Sequence, residues 1–142
     1  MTGYIMGGDC PETPGGSLTA FAERELGERA TFAAPVVLGE LVVTASFLVI
    51  ASRDRDRRPQ LGSRILLNEP LDVEWSQPRP RDGAVKLFVD GFGPRRHGDT
   101  RGARVCLECW VELGQRPALE PALAHLQEIA DRNGPMPAPD LD

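Results

Sequence analysis

The longest apolar stretch of the chain runs from Phe32 to Ser52, and one charged residue, Glu40, interrupts it. Gly39-Glu40 suits the central positions of a type II′ turn, whose twist matches two flanking antiparallel strands. After this turn, residues 41–50 are polar on one face near their start and apolar on both faces near their end. Such a pattern is typical of a strand covered from both sides. The stretch predicts a β-hairpin at the centre of a sheet, and Pro35 predicts that its first strand is an edge or is bulged.

A single membrane-spanning helix is the rival interpretation of this stretch. The segment 33–51 just reaches the roughly 20 residues that a span needs, and the arginines from Arg53 onward would supply a cytoplasmic flank. Glu40 lies at the midpoint, however, where a charge in lipid costs about 2.5 kcal/mol or more. The content of Val and Thr also favours strands over a helix. We therefore favour the hairpin.

The rest of the chain divides into amphipathic segments and polar loops. Ser17 can cap a short helix that runs to about Glu28, and residues 117–133 form an amphipathic helix that Asn133-Gly134 ends. Alternation typical of strands occurs at 64–67, 71–76, 84–92 and 103–113. The pattern predicts an α+β fold: an antiparallel meander sheet or partly closed barrel of five to seven strands, with a short N-terminal helix and a C-terminal amphipathic helix.

This layout resembles that of pleckstrin-homology-like barrels, in which one C-terminal helix plugs the end of a strand meander. The resemblance lies in the order of elements alone, and it implies no functional residue. The Gly- and Pro-rich residues 1–16 are predicted to be a flexible lead-in. Residues 17–134 are predicted to be a single α+β domain, and residues 135–142 an acidic tail.

Composition is ordinary for a globular protein, with 41% hydrophobic and 26% charged residues in a chain of 142. Three cysteines and a start without a basic and apolar leader predict reduced thiols and a cytoplasmic location. A membrane is therefore not an expected partner. Nucleic acid is not expected either, because Phe92 is the only aromatic residue near the basic loops that could stack on a base.

The charges are unevenly distributed along the chain. The net charge is −4 over residues 1–52, +4 over residues 53–104 and −5 over residues 105–142. Fifteen of the sixteen basic residues are Arg, a bias that a GC-rich gene would produce without any role in phosphate recognition. A basic middle either faces an anion or pairs with acidic elements of the same fold. Pairing within the fold is the simpler interpretation.

Two loops, 53–58 and 95–104, carry eight of the twelve basic residues in the segment 53–104. Arginines gathered at one end of a meander would hold phosphate or an acidic protein segment through charge-assisted hydrogen bonds. Solvated loop charge is the ordinary alternative. The predicted anion-binding residues are Arg53, Arg55, Arg57, Arg58, Arg95, Arg96, His97 and Arg101.

Cys106 and Cys109 form a C-x-x-C motif and are weak candidates for a metal site. Zinc needs both thiolates at about 2.3 Å, whereas positions i and i+3 of a strand point to opposite faces. A site that joins Cys10 and His97 would depend on the fold bringing two distant segments together. We therefore predict no metal, no cofactor and no catalytic residue.

These features favour a non-enzymatic binding module whose partner is another protein. The partner would dock at the exposed edge near Pro35 or at the basic loops. The alternative is a small-molecule or phospho-ligand binding domain that uses the Arg-rich loops 53–58 and 95–104. An enzyme is the third possibility, and no credible pair of catalytic groups supports it. The shape of the cavities separates these classes, and the oligomeric state stays open.

Overall fold

The computed structural model describes residues 14–98 and 100–138, and the side chains from Leu18 onward. A 3-10 turn, Leu113–Gln115, leads into the last helix. The elements in chain order are α1 (Pro14–Leu26), β1 (Ala30–Val36), β2 (Gly39–Thr44), β3 (Phe47–Arg53), β4 (Pro59–Leu61), β5 (Ile65–Leu66), β6 (Asp72–Trp75), β7 (Val85–Phe92), β8 (Arg104–Val111) and α2 (Arg116–Asn133).

The strands form two antiparallel sheets. The first sheet has the order β1-β2-β3-β4, and β5 also pairs with β3; the second sheet has the order β6-β7-β8. Over the described residues the sheets do not close into a barrel. They meet where the Val37 amide at the end of β1 donates to the Trp110 carbonyl of β8, at 2.9 Å. The predicted α+β fold with antiparallel sheets and two terminal helices is confirmed.

The apolar stretch 32–52 forms strands, but the predicted turn at Gly39-Glu40 is wrong. Val36 pairs with Gly39, so the turn residues are Val37 and Leu38, and Leu38 adopts a left-handed φ of 68°. Gly39 is needed for another reason: a Cβ there would overlap the carbonyl oxygen of Ala51 on the neighbouring strand. The glycine therefore serves the close approach of β2 and β3.

The same stretch forms three strands instead of one hairpin, because the chain turns again at Ala45-Ser46. Glu28 stabilises this second turn from outside the stretch. Its carboxylate accepts hydrogen bonds from the Ser46 amide at 3.1 Å and from the Thr44 and Ser46 hydroxyls at 2.6 Å each. Glu28 is therefore engaged in the fold through the turn at Ala45-Ser46.

The prediction that this stretch is covered on both faces is confirmed. On the outer face, α1 packs Leu18, Ala22 and Leu26 against Val42, Val49 and Ala51. The inner-face residues Leu41, Val43 and Leu48 belong to the main core, which they share with both sheets and α2. Pro35 lies on β1, an edge strand, as its missing N–H requires. No helix in the described part of the chain is long and apolar enough to cross a membrane.

Helix α2 joins the two sheets and lies within one residue of its predicted bounds. It contacts β1 and β6, and its buried residues are Leu119, Ala122, Leu126, Ile129 and Ala130. His125 on the same helix lies 4.9 Å from the Phe32 ring of β1. At the end of α2, the Asn133 amide donates to the carbonyls of Leu67 at 2.9 Å and Glu69 at 3.0 Å. These bonds attach the helix to the chain between the sheets.

The chain termini are described only in part. Helix α1 begins at Pro14, three residues before the predicted cap at Ser17. Residues 1–13 of the predicted lead-in and residues 139–142 of the predicted tail lie outside the described residues, so both segments stay predictions.

Candidate functional site

The basic loop between β7 and β8 folds back over the start of β5. Its two ends are held together because the Gly93 amide donates to the Ala103 carbonyl at 2.8 Å. Gly102 has no room for a side chain, since a Cβ would overlap the Gly93 carbonyl. The fold leaves a cavity of about 620 Å³ between this loop and the Ser63-Arg64 segment, and Arg96 and Arg101 also line it. We call this the arginine cavity.

A buried carboxylate positions two of the predicted arginines. Glu69 is 9% exposed, and its oxygens lie 3.3 Å from a guanidinium nitrogen of Arg101 and 3.9 Å from one of Arg95. The Arg101 guanidinium also lies 4.5 Å from the centre of the Phe92 ring. Part of the basic charge is thus paired within the fold, while the exposed Arg96 lines the cavity rim.

The other predicted loop, 53–58, lies elsewhere. It begins at Arg53, the last residue of β3, whose Nη1 donates to the Arg57 carbonyl at 3.0 Å. The arginine cavity lies beside β5, which pairs with Phe47 and Leu48 at the start of β3. A seven-residue strand separates the two places by about 20 Å. The structure therefore groups Arg95, Arg96, exposed His97 and Arg101 at one end, and Arg53, Arg55, Arg57 and Arg58 at the other.

A groove runs between the two sheets along the outer edge of β8. The Trp110 carbonyl of β8 points away from β7, because it accepts the Val37 amide. Alternate residues of a strand direct their backbone groups to the same side, so Cys106 and Glu108 also direct theirs away from β7. These residues line a cavity of about 380 Å³ whose opposite wall is built by Ile50, Ser52, Gln60, Leu61 and Gly62.

This groove continues into the arginine cavity, because Ser63 lines both. We call the combined feature the β8 groove. Its walls come from strands far apart in the sequence, β4 and β8. Sequence patterns therefore carried no signal for it beyond the isolated basic residues at one end.

The C-x-x-C cysteines lie on opposite faces of β8, as the strand period predicted. Cys109 is buried in the core and Cys106 is exposed. Burial raises the pKa of Cys109 to about 12, and partial burial together with the Asp90 carboxylate raises the pKa of Cys106 to about 11. Both thiols are therefore protonated at neutral pH, which makes them poor nucleophiles. Among the described residues, no group of three or more His, Cys, Asp and Glu side chains is placed to hold a metal ion; Cys10 lies outside them.

A second groove lies on the outer face of the first sheet, at the N-terminal end of α1. Its cavity of about 590 Å³ is lined by Leu18, Pro35, Leu38, Gly39, Glu40, Ser52, Arg53 and Gln60. The residue Glu40 is 9% exposed, and its carboxyl group accepts a hydrogen bond from the Thr19 hydroxyl. Burial raises the pKa of this carboxyl group. A lone charge inside an apolar stretch was the available sequence signal for this site.

No protein-family model, curated protein or solved structure matches the chain. Its function is therefore inferred from these two grooves.

Proposed function

We propose that this protein is a binding module that takes an extended segment of a partner protein along the open edge of β8. The observation that carries this proposal is the outward direction of the Cys106 and Glu108 backbone groups into a groove. An unpaired strand edge is a template for one further strand, whose main-chain hydrogen bonds supply affinity.

The walls of the β8 groove support an extended occupant. Ile50 lines it from the first sheet, and Leu107 lines it from the second. In an added strand, every second side chain would point toward these apolar residues. The opposite edge of β4 is a poorer template, because β4 is three residues long and begins with Pro59. The segment therefore pairs with β8.

Charge supports an acidic residue at one end of that segment. Arg64, Arg96 and Arg101 line the groove where it widens beside Ala103, while Glu108 lines its other end. A carboxylate or phosphate at the first end gains charge-assisted hydrogen bonds. An acidic residue at the second end would lie near the Glu108 carboxylate and be repelled.

The edge near Pro35, the other docking place expected from the sequence, is less suited to strand addition. Pro35 has no amide hydrogen to donate, and the Val37 amide already pairs with Trp110. Helix α2 also packs on β1. We therefore place the partner on β8, and the predicted cytoplasmic location stays part of this proposal.

The alternative proposal is a phospho-ligand site, and it involves fewer arginines than the sequence suggested. The loop 53–58 lies at the other end of β3, so the anion site would consist of the arginine cavity with Arg64, Arg96 and Arg101. Inorganic phosphate tests this alternative directly, because it fills the arginine cavity without needing the β8 edge.

A random 12-residue peptide library panned against the immobilised protein tests the main proposal. Enriched peptides are expected to alternate apolar residues and to carry an acidic residue near one end. Cys106→Pro removes one outward amide from β8 and should abolish their binding, whereas the matched variant Cys106→Ala keeps the amide and should bind normally. Glu108→Pro, with Glu108→Ala as its control, repeats the comparison at a second outward amide, and far-UV circular dichroism checks each fold.

Protection of backbone amides supplies an independent readout. Hydrogen exchange at Cys106 and Glu108 should slow when an enriched peptide binds, because their amides gain acceptors. Equal peptide binding by the proline and alanine variants would overturn strand addition. Displacement of the peptides by inorganic phosphate alone, with unchanged exchange along β8, would favour the phospho-ligand alternative.

A further inference from the structure

We infer that the groove at the N-terminal end of α1 is a second binding site, which takes an ammonium group carried on an unbranched apolar chain. The Glu40 carboxylate would pair with the ammonium, and Leu18, Pro35 and Leu38 would contact the chain. This site lies on the outer face of the first sheet, and Ser52 and Gln60 line both it and the β8 groove.

The size and lining of the cavity suit a small amphipathic ligand. Its volume of about 590 Å³ lies within the range of small-molecule pockets. Three apolar side chains line it, and Glu40 is the only acidic residue among the described lining residues. Glu40 and Arg53 are the charged residues of this lining, so a ligand with one positive end would direct that end toward Glu40 and away from Arg53.

Glu40 is a buried residue whose carboxylate takes its hydrogen bonds, among the described residues, from Thr19. Both the hydroxyl and the backbone amide of Thr19 donate to it. Glu40 is 9% exposed and both donors are neutral, so its negative charge is poorly compensated. Its raised pKa is a consequence of the same burial. A cation in the groove would supply the opposite charge that the neutral donors of Thr19 do not provide.

Leu38 provides a second, separate observation. Its side chain is 89% exposed, and its backbone has a φ of 68°, which is unfavourable for a branched apolar residue. Asn or Gly would suit such a two-residue turn better, and a polar side chain would suit its exposure better. Contact with the apolar chain of a ligand explains why Leu occupies this position.

Arg53 limits the ligand to one positive charge. It lines the same cavity, and its Nη1 is directed to the Arg57 carbonyl in the turn after β3. A second ammonium group on the ligand would meet this guanidinium and be repelled. We therefore infer a monoamine, whose ammonium group belongs either to a free alkylamine or to a lysine side chain of another protein.

NMR titration of the full chain with n-hexylammonium chloride tests this inference. We expect a dissociation constant of about 1 mM, since the probe has few heavy atoms, and shifts centred on Thr19, Leu38 and Glu40. Glu40→Gln should weaken binding at least about tenfold, and Glu25→Gln, which changes an exposed acid of α1, should leave it unchanged. Equal binding of 1-hexanol, or an unchanged affinity in Glu40→Gln, would overturn the inference.

Two further measurements complete the test. Leu38→Asn alters a side chain outside the core and should weaken hexylammonium binding about fivefold, because it removes apolar contact area. This variant keeps the inference testable if Glu40→Gln does not fold. Nα-acetyl-lysine N-methylamide then identifies the source: competition with hexylammonium supports a lysine side chain, and binding of hexylammonium alone supports a free amine. Unchanged affinity in Leu38→Asn would contradict the assigned apolar contact.

Discussion

The two sheets differ in what covers their outer faces. Helix α1 covers the first sheet, and residues on both faces of β2 and β3 are buried. The outer face of the second sheet is open to solvent, where Lys86 lies 2.8 Å from the Glu108 carboxylate and Arg79 lies 4.2 Å from the Trp110 ring centre. The first sheet therefore offers a ligand only its ends, whereas the second offers a strand edge.

Two glutamates near α1, on the covered side of the first sheet, also differ from each other, in the balance between hydrogen bonding and burial. Glu28 accepts hydrogen bonds from Thr44 and Ser46, and these bonds, chiefly those from the Ser46 side chain, lower its pKa. Glu40 accepts from Thr19, and burial raises its pKa. A carboxylate whose hydrogen bonds outweigh the effect of burial stabilises the fold, while one for which burial outweighs the hydrogen bonds is a candidate for binding.

The largest effect is expected from removing the cover of the first sheet. Leu26→Ala deletes a side chain of α1 that is 9% exposed and packs in the outer cluster. It should lower the free energy of unfolding by about 2–4 kcal/mol in urea denaturation, through lost apolar contact and a cavity. The matched control Leu113→Ala changes a side chain that is 60% exposed and should stay within about 0.5 kcal/mol of the parent. Equal effects of the two variants would contradict the difference in coverage.

A smaller effect is expected at Glu28. Glu28→Gln keeps the size of the side chain but removes its charge, and should cost about 1 kcal/mol at neutral pH because the bonds from Thr44 and Ser46 weaken. The folded-state pKa is lowered, so this stability is present above the unfolded-state pKa and is lost as the pH falls through the folded-state pKa. Denaturation curves of parent and variant should converge in acid. A difference that stays constant with pH would show that the charge is unimportant.

The smallest effect, with the opposite sign, is expected at Glu40. Its folded-state pKa is raised, so its contribution to stability is fully present below the unfolded-state pKa and is lost as the pH rises through the folded-state pKa. Glu40→Gln should therefore gain stability relative to the parent as the pH increases. Thermal melts over a pH series measure this trend, and parallel trends for the variants at Glu28 and Glu40 would remove the contrast between the two carboxyl groups.

The pattern of hydrophobic and polar residues predicted those strands and helices in which it repeats regularly along the whole element. Alternation placed β7 and β8, and the apolar stripe placed α2 within one residue of its observed start. The turn at Val37-Leu38 was missed because Gly39 was assigned to the turn, although it is required by contact with Ala51 on β3. The break at Ala45-Ser46 was missed because the residue that stabilises it, Glu28, lies 18 positions away from Ser46.

The candidate sites were harder to predict than the fold, because residues far apart in the sequence build their walls. The basic residues of the loop 95–104 were visible, but the buried Glu69 that positions Arg101 had no local signature. The groove between β4 and β8 joins segments more than forty residues apart. Glu40 was visible as a charge in an apolar stretch, and its meaning depended on the cover that α1 provides.

The bonds from Asn133 have a consequence for the order of folding during synthesis. The β1-β2-β3 meander and the β6-β7-β8 meander are both built from strands that follow one another closely in the chain, so each can pair soon after it leaves the ribosome. The carbonyls of Leu67 and Glu69, however, wait more than sixty residues for the Asn133 amide. Until α2 packs on the sheets, the apolar core that they share is exposed to solvent. The nascent chain is therefore most prone to aggregation while α2 is still inside the exit tunnel.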